Sequence, residues 1–168
     1  MISERKCLVS DVWILNASPV ILFARINRLD LFGQLAARVV VPDAVISEIR
    51  AGEADDPSSR VALDFVEPCH AADLRVPDNI APWDLGPGET QVIAQAIHAS
   101  AWAVLDDLAA RRCAATHKIP VIGSLGIILR AKRKGIIENA APWIMKLKFA
   151  GMYLDETLIQ KVLTEFGE

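Results

Sequence analysis

The sequence predicts a three-layer α/β/α domain with a central, mainly parallel sheet of four or five strands. Two observations carry that expectation. Short apolar runs at 12–15, 39–41, 103–105 and 121–122 are continuous rather than alternating, as strands covered on both faces are. Segments of helical spacing separate them, and such alternation builds parallel sheets. At 168 residues the chain fits one domain of ordinary size, and its 52% apolar content excludes a disordered chain.

The helical segments follow in order. Ser18 reads as an N-cap with Pro19 at the first helical position, opening a nearly all-apolar helix through Ile26. A short helix is expected over 28–35. Pro42-Asp43 opens another that ends near Gly52, and 57–65 forms one more. Residues 67–88 hold four prolines and several aspartates, and read as a long surface connection. Helices are expected over 89–100, 108–118, 125–134, 141–148 and 155–166. In the last of these Leu158, Ile159, Val162, Leu163 and Phe166 have helical spacing, which suits docking on the domain or a dimer face equally. Residues 1–150 thus carry the domain and 151–168 a helical extension of it.

Three cysteines, Cys7, Cys69 and Cys113, contain no C-x-x-C pair and form no disulfide framework, which suits a reducing cytosol. The apolar stretch 7–24 follows Arg5 and Lys6 as a leader would, but Asp11, Asn16 and Pro19 interrupt it. A soluble, cytoplasmic protein with no membrane partner is expected. The net charge of −3 argues against a generic polybasic nucleic-acid binder, yet it is unevenly spread. Residues 1–107 carry 8 basic and 16 acidic side chains, whereas 108–148 carry 9 basic ones against Glu138 alone. A basic block following an acidic one fits a phosphate backbone beside a metal centre, or simply a solvated helical face.

Two glutamates sit on the apolar sides of their helices. Glu89 heads the stripe Val92, Ile93, Ala96 and Ile97, and Glu48 lies one turn beyond Ala44 and Val45. Asp106 and Asp107 follow the apolar run 103–105, at the expected carboxyl end of a strand, where Asp also commonly caps the next helix. Asn16 occupies the equivalent place after the first strand. Four elements can therefore bring Asn16, Glu48, Glu89 and Asp107 to one end of the sheet, where open α/β folds keep their sites. Oxygen donors of this kind suit Mg²⁺ or Mn²⁺ better than zinc.

These residues make the chain resemble a PIN-domain protein over about residues 9–148, closest to a prokaryotic branch carried as a domain of unknown function. The matching segments are Asn16-Ala17-Ser18-Pro19-Val20-Ile21, Val41-Pro42-Asp43-Ala44-Val45 with Glu48, and Leu85-Gly86-Pro87-Gly88-Glu89. They continue with Leu105-Asp106-Asp107 before Ala110-Arg111, then Gly123-Ser124-Leu125-Gly126. The resemblance implies a metal-dependent ribonuclease, VapC-like, with Glu48, Glu89 and Asp107 holding Mg²⁺ or Mn²⁺. It implies the toxin half of a toxin–antitoxin pair, with RNA and a small antitoxin protein as partners; a homodimer is expected as well.

The first family acid, ordinarily Asp, falls on Asn16, and Ala109 replaces the aspartate often found two residues after the third acid. An amide can ligate through oxygen but adds no negative charge, so the expected site is attenuated, with Asn16 a neutral ligand or water-positioner. Asp106 is the better auxiliary carboxylate, although strand alternation would aim it away from Asp107 unless the chain turns there. A domain that binds RNA or a partner without cleaving is the alternative. Ser18 and Ser124 each read as a helix cap or as a hydroxyl orienting substrate or site waters. Arg111, Arg112, Arg130, Lys132, Arg133 and Lys134 are the candidate RNA contacts, and Trp83 the tryptophan best placed to meet a base. Cys113 and His117, with Cys69-His70, lack a zinc-site spacing, and no nucleophile elbow is present.

Overall fold

A computed structural model of the chain describes residues 11–168; Arg5, Lys6 and Cys7 lie outside it. Among the described residues five parallel strands form the sheet: β1 Val12–Leu15, β2 Arg38–Pro42, β3 His70–Ala71, β4 Trp102–Val104 and β5 Val121–Ile122. Their order is β3-β2-β1-β4-β5, so the chain runs outward from β1 in one direction, then returns and runs outward in the other. Nine α-helices among the described residues surround it. They are α1 Ala17–Arg25, α2 Asp30–Leu35, α3 Asp43–Ala51, α4 Ser58–Val66, α5 Pro87–Ala99, α6 Leu108–Thr116, α7 Ser124–Arg133, α8 Ala141–Phe149 and α9 Glu156–Phe166.

Burial explains the pattern. Trp13, Ile14, Leu15, Val41, Ala103 and Val104 are almost wholly covered, so the central strands have no polar face to alternate with. α5 lies across β1, β2 and β4, while α1 and α2 meet α7 in another part of the helical shell. β1 and β4 pair in the register Trp13↔Trp102, Ile14↔Ala103 and Leu15↔Val104, which sets Asn16 and the Asp106-Asp107 pair at the same end of the sheet. Between these two strands the strand order reverses. The crevice beyond their carboxyl ends is the place where such sheets keep a site.

Three expectations shift. The helix after β1 starts at Ala17 with Asn16 at the cap position, so Pro19 falls third, still within the turn where its missing N–H is harmless. Residues 67–88 are not a bare connection: they contain β3 and two 3₁₀ turns, Glu67–Cys69 and Ala81–Trp83. Trp83 is half-buried against the core. The C-terminal helix α9 docks on the domain through buried Ile159 and Val162, with Leu163 and Phe166 packed beside them.

Candidate active site

A cavity of about 780 Å³ opens at the carboxyl end of the sheet, and Asn16, Ser18, Glu48, Glu89, Asp106 and Asp107 all line it. Four stretches of backbone supply them. Asn16 follows β1 with Ser18 in the first turn of α1, Glu48 sits on α3, Glu89 in the first turn of α5, and Asp106-Asp107 in the turn from β4 to α6. Ser124, the seventh expected contributor, is wholly buried and reaches the site only through Asp106.

The acids are held by separate donors. Glu48 Oε1 accepts the Gly88 backbone N–H at 2.8 Å. Burial pushes the Glu48 carboxyl above its ordinary range; the Gly88 N–H works against that rise and the neighbouring Glu89 charge adds to it. Glu89 Oε1 accepts from Asn16 Nδ2 at 3.1 Å. Asp107 Oδ1 takes the Ala110 N–H at 2.8 Å, the cap of α6. Both Asp106 oxygens are used by Ser124: Oδ1 accepts its N–H at 2.7 Å and Oδ2 its hydroxyl at 2.6 Å. β4 ends at Val104, so strand alternation no longer governs Asp106, and it lines the same cavity as Asp107. Asp106 therefore ties α7 to the β4 turn, and Ser124 is its partner rather than a cap; Gly123 occupies the cap position.

Two glycines make room for the carboxylates. A Cβ on Gly86 would stand 2.5 Å from Glu89 Oε2, and one on Gly88 would stand 2.5 Å from Glu48 Oε2. The Gly-Pro-Gly-Glu sequence is thus a close approach of backbone to two carboxylates, and the glycines flanking Pro87 are its visible signal. Other contributors carry no such signal. Arg25, Asp56, Met152 and Tyr153 line the cavity from α1, the α3–α4 connection and the loop between α8 and α9.

The donor set fits a hard divalent cation. All the candidate ligands are oxygens, and Asn16 Oδ1 is a buried acceptor with no hydrogen-bond partner. Such an acceptor is costly unless something meets it. Among the described residues no group of three or more His, Cys, Asp or Glu side chains is gathered so as to hold an ion by itself. Glu48, Glu89 and Asp107 have instead each found one N–H, and a bound cation would draw on their second oxygens and on the Asn16 amide.

The basic residues divide. Arg111, in the first turn of α6, approaches the Leu105 carbonyl at 3.5 Å from Nη1 and lies beside Asp106. Arg112, its neighbour on α6, is exposed. Residues 130–134 are carried towards the other end of α7, about 9 to 15 Å along the helix from Ser124. There Arg130 stacks over Trp13 and Trp102, at 5.6 and 5.2 Å from the ring centroids. Lys132 pairs with Glu168 at 3.1 Å and Arg133 with Glu165 at 3.6 Å, while Lys134 is exposed. Cys113 is buried, and His117 Nδ1 lies 2.9 Å from its carbonyl oxygen.

A family model described as a PIN domain matches residues 12–168, nearly the whole chain. The chain belongs to the PIN-domain family. PIN domains are generally nucleases and typically use divalent metal ions, which agrees with the oxygen donors that the acids and Asn16 offer in a cavity at the sheet's switch point. No curated protein matches this PIN-domain chain. Among its described residues no helix is long and apolar enough to cross a membrane.

Proposed function

We propose that this PIN-domain protein is a Mg²⁺- or Mn²⁺-dependent endoribonuclease acting as the toxin of a toxin–antitoxin pair. The observation that supports it best is the meeting of Asn16, Glu48, Glu89 and Asp107, from four elements, on one cavity that contains an unpartnered buried acceptor. A divalent cation, when bound, supplies an activated water and neutralises the developing phosphate charge. Glu48, Glu89 and Asp107 would hold it through their oxygens, with Asn16 Oδ1 as the neutral member. Asp106 and Ser124 fix the turn that carries Asp107. Arg111 lies where a phosphate flanking the cavity would need a cation.

The test is Mn²⁺-dependent cleavage of single-stranded RNA by the wild type and by Asp107→Ala. Loss of cleavage in the variant supports the reading, and equal cleavage by both overturns it. For the toxin role, growth arrest on expression, relieved by Asp107→Ala and by a small protein encoded immediately upstream, is the expected outcome. A second reading rests on Asn16: a domain of this family that binds RNA or a protein without cutting. Asn16→Asp separates them, since a weakened nuclease gains activity with the restored carboxylate and a binding module stays inert.

A further inference from the structure

Beside the acid-lined cavity runs a second groove of about 610 Å³, and the two share Asp106, Met152 and Tyr153 as walls. Its floor is apolar, formed by Val121, Ile122, Leu125 and Leu129, and Arg111 stands at the end nearest Asp106. The ridge between the two cavities is Tyr153, whose residue is 92% exposed. A tyrosine left that open packs against little of its own chain. It is nevertheless carried on a loop held at its root. Arg25 Nη1 donates to the Ala150 carbonyl at 2.7 Å, and its Nε and Nη2 donate to Asp56 Oδ2 at 3.0 and 2.8 Å. On the same side Leu158 is 42% exposed along the groove.

We propose that this groove is a nucleobase subsite, in which the ring of Tyr153 stacks on the base of a nucleotide adjacent to the scissile phosphate. The proposal rests on the nuclease reading of the neighbouring cavity and extends it to how the strand is gripped. Three features favour a nucleotide over a protein helix. The groove is continuous with the acid cavity, so one strand can occupy both. The cation Arg111 lines the groove beside Asp106, the acid that the groove shares with the cavity, on the side from which a linking phosphate would come. The exposed ring offers a π-face to any base, which is how single strands are held without reading their sequence.

The experiment uses the full chain and a fluorescein-labelled single-stranded octaribonucleotide, with binding measured in Ca²⁺ by anisotropy and cleavage scored separately in Mn²⁺. Tyr153→Phe keeps the ring and should bind as the wild type does. Tyr153→Ala should bind about ten- to a hundredfold more weakly, the usual consequence of losing one stacked base. Replacing one nucleotide by an abasic residue should cost the wild type the same amount at a single position, and cost Tyr153→Ala nothing there. That position-specific loss is not produced by a structural role for Tyr153. Equal affinity of Tyr153→Ala and wild type, no oligonucleotide binding by the wild type, or abasic penalties that persist unchanged in Tyr153→Ala would each overturn the subsite. The first two of these results would favour a protein ligand for the groove. Tyr153-dependent binding without cleavage would support the subsite while sinking the nuclease reading; cleavage and binding indifferent to Tyr153 would do the reverse.

Discussion

Asn16 puts a neutral donor 3.1 Å from Glu89, where an aspartate would put a second negative charge. In a pocket only 2% exposed at Asn16, that charge would be poorly solvated and would repel Glu89. Asn16→Asp should therefore unfold at a lower temperature than wild type in EDTA, yet gain more from Mn²⁺, because the cation then meets one more carboxylate. Thermal melts with and without Mn²⁺ check both halves; a variant as stable as wild type in EDTA, with an unchanged Mn²⁺ increment, refutes the argument. Glu48 gives a related pH dependence. Its carboxyl is raised by burial and by Glu89, so the folded chain holds that proton at higher pH than the unfolded one. The resulting stabilisation is complete below the ordinary value of 4.5 and is lost as pH rises through the raised value. In EDTA the wild type should lose stability relative to Glu48→Gln as pH rises from about 4.5 to 7. A pH-independent difference between the two would contradict this.

Helix ends show how much of the molecule can be read along the chain. The strands were legible because burial on both faces writes itself as an apolar run, and Glu48 and Glu89 because an acid on an apolar stripe is conspicuous. β3 was not, since His70–Ala71 has no apolar run and exists only through its pairing with Val41 and Pro42. The placement of Asp106 depends on where β4 stops, and an apolar run ending at Leu105 does not mark that the strand ends at Val104 and the chain turns there. Tyr153 and the Arg25–Asp56 brace reach the cavity only through tertiary packing, which no local spacing encodes. The C-terminal residue is a further case: Glu168 accepts the Ala140 and Ala141 N–H groups at 3.0 and 2.9 Å, satisfying two donors at the start of α8 that have no partner within the helix. Those bonds, with Lys132, hold its carboxyl below the usual range. Its contribution is therefore present above 4.5 and lost as pH falls through the lowered value. Glu168→Ala should destabilise the protein by about 1 kcal/mol at neutral pH, the common worth of a helix cap, and by less in acid. Urea unfolding at two pH values measures it, and an effect that grows in acid would be inconsistent with the capping role.

At the scale of the whole molecule, charge is distributed by the fold rather than by the sequence. Residues 108–148 form one basic block along the chain, yet α6 and α7 begin at the carboxyl end of the sheet and run away from it. Arg111 stays beside Asp106, whereas Arg133 and Lys134 end up at the far end of α7, near the Trp13–Trp102 pair on which Arg130 stacks. A short strand lying across the acid cavity and the Tyr153 groove can meet the first cation but not the others. Each phosphate contact adds to the salt dependence of binding. For a hexaribonucleotide, Arg111→Ala should weaken binding and reduce the slope of log affinity against log salt by about one. Arg133→Ser combined with Lys134→Ser should leave that slope unchanged, because two exposed cations outside the strand's reach release no counterions to it. Titrations at several salt concentrations decide the matter. A slope lowered by the distal pair as much as by Arg111 would mean that the strand passes over the other end of α7, and that the switch-point crevice does not set its path.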